Sequence, residues 1–341
     1  MKIVLFRKFP FLLLFVLAIS TNTSCQEKRK KQKLSEDTTY KVKKDSVWID
    51  TSNGTIFGFL FQPIRDNDEK VPAVLCLQGG GDVGLSNYLY EAEFFAKNGI
   101  AALVCDKSGT GLSETEKRWR EQSFKDKTTE YLELHKWLSS QKGIDSLNVG
   151  VHGMSEGGRL ALNMAIRSRE KIAFVNVVSG PIASFKENQL YAIQHYLAAQ
   201  GFKPTEIEQA TDVWEIYFND VGKGLISDET ISSIEKLIET IPNLRYRPAV
   251  SKRLPSRPLR EDIHFGLEGS VGSITCPVLF QYGENDILVD PVTSISLIPD
   301  KPNFHIKLYP DTDHSMNLKN GDIHPDFLRD KKKWIENQIW E

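Results

Sequence analysis

The chain has 341 residues, 40% of them hydrophobic and 26% charged, with a formal net charge of -2. That length suits one large domain or one domain carrying an insertion. A near-neutral balance supplies no global field for a polyanion, so nucleic acid is not an expected partner.

In chain order, residues 1–24 read as an export signal. Lys2, Arg7 and Lys8 precede the apolar run Phe11-Leu12-Leu13-Leu14-Phe15-Val16-Leu17-Ala18-Ile19, a charged n-region and a short h-region. The run is short for a membrane span. Small polar residues and Cys25 follow, which resembles a bacterial lipoprotein signal in which the cysteine is lipidated and becomes the new N-terminus. Asn22 departs from that pattern, where an aliphatic residue is usual. The expectation is an exported protein of the cell envelope, held to the membrane through lipid on Cys25, with ordinary secretion and an uncleaved anchor as alternatives. Residues 25–43 read as a linker, solvated and dense in Lys and Arg at its start.

From residue 44 the pattern becomes that of a folded domain. Residues 44–63 predict a hairpin, with Ser52-Asn53-Gly54 as its turn. Strands are then expected over 71–77, 100–105, 147–151, 172–178, 277–282 and 305–309. Helices are expected over 88–97, 123–140, after residue 155, and over 326–339. The helix over 123–140 carries Tyr131, Leu134, Trp137 and Leu138 at helical spacing, a stripe that faces a core. Strands alternating with helices predict an α/β fold with a mostly parallel sheet covered on both faces, and sites at the loops that follow the strands. Residues 181–273 break the rhythm with helical patterns and the aromatics Tyr191, Tyr196, Trp214, Tyr217 and Phe218. They predict a helical cap inserted into a core of 44–180 and 274–341, its aromatics partly packing on each other and partly lining a pocket. Cys76, Cys105 and Cys276 sit in or beside apolar runs and read as core thiols; nothing in their spacing suggests zinc or a disulfide framework.

The chemistry centres on Gly153-Met154-Ser155-Glu156-Gly157-Gly158, between a strand and a helix. A serine on a tight strand-to-helix turn is the layout of a nucleophile elbow. A serine hydroxyl is a weak nucleophile and needs a base. Of the seven histidines only His314 follows a late strand in a polar turn. The acid that orients it is expected at Asp286, in the loop after the preceding strand, with Glu284 and Asp290 as rivals; Asp290, before Pro291, is also suited to capping a helix. The chain order Ser155, Asp286, His314 agrees with this reading. The oxyanion donors are expected at the backbone amides of Glu156 and of Gly80, in Gln78-Gly79-Gly80-Gly81-Asp82.

These motifs, with Asp106-Lys107-Ser108-Gly109-Thr110-Gly111-Leu112-Ser113, resemble the serine α/β-hydrolases, in particular bacterial esterases related to dienelactone hydrolase and to the catalytic domains of prolyl oligopeptidases. The resemblance covers the chain from about residue 46 onward and is weakest in the cap. It implies an α/β-hydrolase fold and a serine hydrolase of carboxylic esters, of short acyl chain, acting through an acyl-enzyme on a small-molecule substrate, with no cofactor and no metal. The alternatives are a thioesterase or acyltransferase, for which the basic run Arg245, Arg247, Lys252, Arg253, Arg257 and Arg260 would meet an anionic substrate; a peptidase; and a binding lipoprotein without catalysis. Two departures stand out: Gln78 where many relatives have histidine, and Lys107-Ser108 in place of a pair ending in arginine. Both bear on the polarity expected of the pocket.

Overall fold

The computed structural model describes residues 39–65 and 69–340. The export signal, Cys25 and most of the linker lie outside the described residues. Among the described residues, no helix is long and apolar enough to cross a membrane.

The hairpin forms from β1 (Val42–Thr51) and β2 (Gly54–Pro63), paired antiparallel with Thr51 opposite Gly54. Its start at Val42, with the Tyr40 N–H donating to the Lys97 carbonyl, brings the fold two residues into the expected linker. The remaining strands are β3 (Val71–Leu77), β4 (Ala101–Cys105), the two-residue β5 (Glu114–Thr115), β6 (Ile144–Met154), β7 (Val175–Val178), β8 (Val278–Gly283) and β9 (Phe304–Tyr309). They form one sheet in the order β1-β2-β4-β3-β6-β7-β8-β9, with β5 pairing to β2 off this path. The strands from β3 onward along the main path run parallel, which makes this the α/β-hydrolase fold expected from the sequence.

The order of pairing follows from burial. Every residue of β3, Val-Pro-Ala-Val-Leu-Cys-Leu, is buried. Alternate side chains leave opposite faces of a strand. Ala73, Leu75 and Leu77 therefore join one core, with Leu134 and Leu138 of α2 (Phe124–Ser139) and Leu160 of α3 (Glu156–Arg167). Val74 and Cys76 join the other, with Phe94 and Phe95 of α1 (Leu89–Lys97) and with Ile335. The predicted stripe on α2 faces inward as expected: Tyr131, Leu134 and Leu138 are buried and Trp137 packs against the same cluster. β7 is shorter than the run over 172–178 suggested. Its forerunners still bond to β6, through Ala173 N–H to the Val149 carbonyl and Val151 N–H to the Phe174 carbonyl.

Between β7 and β8 comes the helical insertion: α4 (Phe185–Ala199), α5 (Pro204–Lys223), α6 (Asp228–Thr240) and α7 (Arg257–Asp262). Trp214 stacks on Phe218 and meets Tyr217 and Tyr246 edge-on or tilted, so most of the aromatics pack on each other. The cap does not own a separate core. Trp214, Phe218 and Leu237 belong to the same buried cluster as the sheet residues Leu75 and Val151. After β8 come α8 (Pro291–Ser296), with Asp290 capping the N–H groups of Val292 and Thr293, and, beyond β9, α9 (Pro325–Trp340). Cys76 and Cys105 are buried as read, while Cys276 is half-buried; all three are free thiols.

Candidate active site

Ser155 ends β6 and opens α3 with φ 56° and ψ -122°. A side chain rarely takes positive φ, and such strain persists only where the surroundings fix it. Here the Ser155 N–H donates to the Val178 carbonyl at 2.8 Å, and Arg159 N–H closes the first helical turn onto the Ser155 carbonyl. Gly157 is dictated by proximity: a Cβ there would stand 2.4 Å from the Leu77 carbonyl oxygen, so α3 starts against the end of β3 only if that residue has no side chain.

Asp286 follows β8 and His314 follows β9, and the two loops are stitched together. Glu284 N–H donates to the Tyr309 carbonyl and Asn285 N–H to the Thr312 carbonyl, each at 2.9 Å. A Cβ on Gly283 would sit 2.4 Å from the Asp313 carbonyl oxygen, which is how close the loops run. His314 Nδ1 lies 2.8 Å from Asp286 Oδ2. The other oxygen of Asp286 accepts from Leu288 N–H at 2.8 Å and Val289 N–H at 2.9 Å, so this fully buried carboxylate is oriented before it meets the imidazole. Of its rivals, Glu284 accepts from Asp311 N–H and Asp290 caps α8. Burial pulls the His314 pKa down, but the Asp286 carboxylate and its hydrogen bond outweigh this and hold it above its ordinary value. The elbow and the histidine loop share an anchor. Val178 receives Ser155 N–H, and the next residue, Ser179, itself at φ 48°, donates its hydroxyl to the His314 carbonyl at 3.0 Å.

The glycine loop after β3 comes to the same edge, where a Cβ on Gly79 would lie 3.4 Å from Ser155 Cβ. Gly79 N–H is engaged by the Tyr88 hydroxyl at 2.6 Å. Of the expected donors, Glu156 is the first residue of α3, directly after Ser155, and Gly80 is the next residue of this loop after Gly79. The Glu156 side chain turns inward. Oε1 accepts from Trp119 Nε1 at 2.9 Å and from Lys127 Nζ at 3.2 Å. Burial would raise its pKa, yet Lys127 and Lys107 bring it below the ordinary carboxylate value.

The two departures are supports, not pocket linings. Gln78 is buried and donates through Nε2 to the Cys105 carbonyl, tying β3 to β4. Ser108 is buried and donates to Glu130, and Lys107 is 2% exposed beneath the glycine loop. Within the basic run, Lys252 pairs with Asp228 and Arg257 with Glu261, both facing solvent. Of the remaining histidines, His135 bonds the Val149 carbonyl, His152 bonds Asn176, His195 the Tyr191 carbonyl, and His324 accepts from Asp326 N–H. Among the described residues no group of three or more His, Cys, Asp or Glu is arranged to hold a metal ion.

Sequence reasoning missed Tyr88, Ser179, Trp119, Lys127 and Arg159, all of which brace the site. Arg159, buried one turn beyond Ser155, donates to the Phe265 carbonyl at 2.7 Å and the Ala183 carbonyl at 2.8 Å, the two ends of the cap. A cation directly before the apolar run Leu160-Ala161-Leu162 was the one signal in the sequence.

Fold and site together define a serine hydrolase of the α/β-hydrolase class. The chain belongs to the family described as serine aminopeptidase, S33 (Hydrolase_4), whose model matches residues 69–318. Its fold is similar to that of the alpha/beta hydrolase GrgF from Penicillium sp. sh18, at 15% identity and a TM-score of 0.59 over 87% of this chain and 99% of that one. It is also similar to Est1E from Butyrivibrio proteoclasticus, at 18% identity and a TM-score of 0.55 over 87% and 99% of the two chains. An esterase from Pyrobaculum calidifontis gives 15% identity and a TM-score of 0.55 over 86% and 85%. At such identities the likeness is one of fold. No curated protein matches the sequence.

Proposed function

We propose that the protein hydrolyses carboxylic esters of short acyl chain through an acyl-enzyme at Ser155. The observation that carries this reading is the Asp286–His314 bond, held by Ser179 against the strand end that also anchors Ser155. With Nδ1–H given to Asp286, Nε2 of His314 is left as the acceptor for the Ser155 proton. Ser155 Oγ attacks the ester carbonyl as Nε2 takes that proton. The resulting oxyanion is met by the amides of Gly80 and Glu156. The C–O bond then breaks, Nε2 returns the proton to the leaving alcohol, and water repeats the cycle to release the acid. The chemistry calls on no metal or organic cofactor. The Tyr191 hydroxyl of α4 donates to the Asp286 carbonyl at 2.7 Å, seating the cap on the acid loop.

The family's description favours a second reading, cleavage of an N-terminal amino acid from a peptide. That reaction needs a carboxylate for the substrate ammonium. Glu156, next to the nucleophile, is committed to Trp119 and Lys127. For this reason the ester reading stands first. Export and lipid attachment at Cys25 are part of the same proposal, resting on the basic and apolar pattern before that residue.

A fluorophosphonate probe tests the nucleophile: the wild type becomes labelled and Ser155→Ala does not. Short acyl aryl esters are turned over faster than long-chain esters or aminoacyl amides. Folded wild type that resists the probe would falsify the hydrolase reading, and faster cleavage of aminoacyl amides would promote the peptidase.

A further inference from the structure

Lys107 has no part in the reaction as written, yet it is a buried cation directly behind the glycine loop. Its Nζ donates to the carbonyls of Gly79 and Gly81, the latter at 2.8 Å. The Gly79 carbonyl and the Gly80 N–H belong to one peptide group. In a trans peptide these two groups point in opposite directions. A cation that fixes the Gly79 oxygen therefore also fixes the Gly80 N–H, turned away from Lys107. Something must do so, because three successive glycines offer little resistance to that peptide turning over. The neighbouring amide is no substitute, since Gly79 N–H is already spent on Tyr88.

We infer that Lys107 is a positioning residue for the oxyanion: its ammonium grips both carbonyls, aims the Gly80 N–H at the tetrahedral intermediate, and sets a buried positive charge behind it. This rests on the ester hydrolase reading above. Hydrogen bonds in a chain polarise one another, so a carbonyl held by a cation also makes its own amide a stronger donor. The groups around the ammonium are the Trp119 ring, 4.5 Å away, Glu156 on α3, Lys127 on α2 and Asp82 on the loop, which pairs with Arg120. Burial pulls the Lys107 pKa down to about 7, with Lys127 adding to this and Glu156 and Asp82 opposing it. Its charge can thus be removed by alkali.

The test compares full-length wild type, Lys107→Met and Ser155→Ala on p-nitrophenyl butyrate across pH. Loss of one oxyanion donor costs on the order of 100-fold in kcat. Lys107→Met is expected to lose about that much, with KM within about threefold, because the aimed amide acts on the transition state and not on the bound ester. Wild-type kcat is expected to fall on the alkaline side while the fold persists, and that limb to vanish in Lys107→Met. A Lys107→Met kcat within about threefold of wild type, or a raised KM at unchanged kcat, overturns the inference. If Lys107→Met does not fold, the wild type decides alone. A profile flat to about pH 11, beyond even an ordinary lysine, overturns the inference, and an alkaline fall in kcat with the fold retained supports it. Absence of both turnover and fluorophosphonate labelling in the wild type would instead remove the hydrolase reading on which it stands.

Discussion

Ser155 and His314 carry opposite kinds of cost. At the serine the backbone holds a positive φ that glycine would tolerate more easily. At the histidine a buried imidazolium is made affordable by a carboxylate. Since His314 is held above 6.5, the free base needed to deprotonate Ser155 appears only as pH rises through that raised value, so kcat/KM climbs across it. Asp286→Asn removes the charge that raises the pKa. The acid limb of the profile should move to lower pH while kcat falls on the order of 10,000-fold, as expected when the imidazole takes the wrong tautomer. An unmoved limb in steady-state profiles would count against the assignment of Asp286. The same pair has a stability consequence of definite sign. The folded protein holds the His314 proton more tightly than the unfolded chain, so its contribution is full below 6.5 and is lost as pH rises through the folded value. These residues were legible because each follows a strand in a turn of glycine or aspartate. The supporting roles of Lys107, Arg159 and Lys127 were not. A lysine or arginine reads as exposed from sequence, and their partners are backbone carbonyls or a carboxylate remote along the chain.

At the scale of elements, the parallel strands could be read closely because strands buried on both faces are continuous apolar runs; β3 falls on 71–77 as expected. β6 was underestimated at its start because Ile144 to Ser146 include the polar Asp145 and Ser146 and lack that pattern. The cap was read as helical, and amphipathic spacing says that a face is covered without saying by what. The cover is the main core. Arg159 is the polar counterpart of that packing, joining α3 to both ends of the insertion. Arg159→Met would leave two carbonyls without their donor in a dry place. It should cost about 3 kcal/mol, read as a lowered urea midpoint. Amide exchange should quicken at residues 183–186 and 263–267 ahead of the sheet. A midpoint unchanged from wild type would show the clamp to be idle.

For the whole molecule, the proposed export signal makes a definite statement about mass. The mature protein should lack residues 1–24 and begin at a Cys25 bearing lipid, seen by mass spectrometry of the N-terminal peptide. An intact Met1 would overturn it. Among the described residues, those that brace Ser155 lie from Leu77 onward. The neck of the insertion carries a further consequence. Leu267 N–H donates to the Ile182 carbonyl, Phe185 N–H to the Phe265 carbonyl and Lys186 N–H to the Ile263 carbonyl, so the outgoing and returning chains lie side by side. What hangs beyond that neck is held a second time, by Tyr191 on the Asp286 carbonyl and by the aromatics that enter the main core. A foreign cap grafted at this neck should therefore keep Ser155 reactive only if it refills the space that Trp214, Phe218 and Leu237 occupy, which fluorophosphonate labelling of the chimera would check.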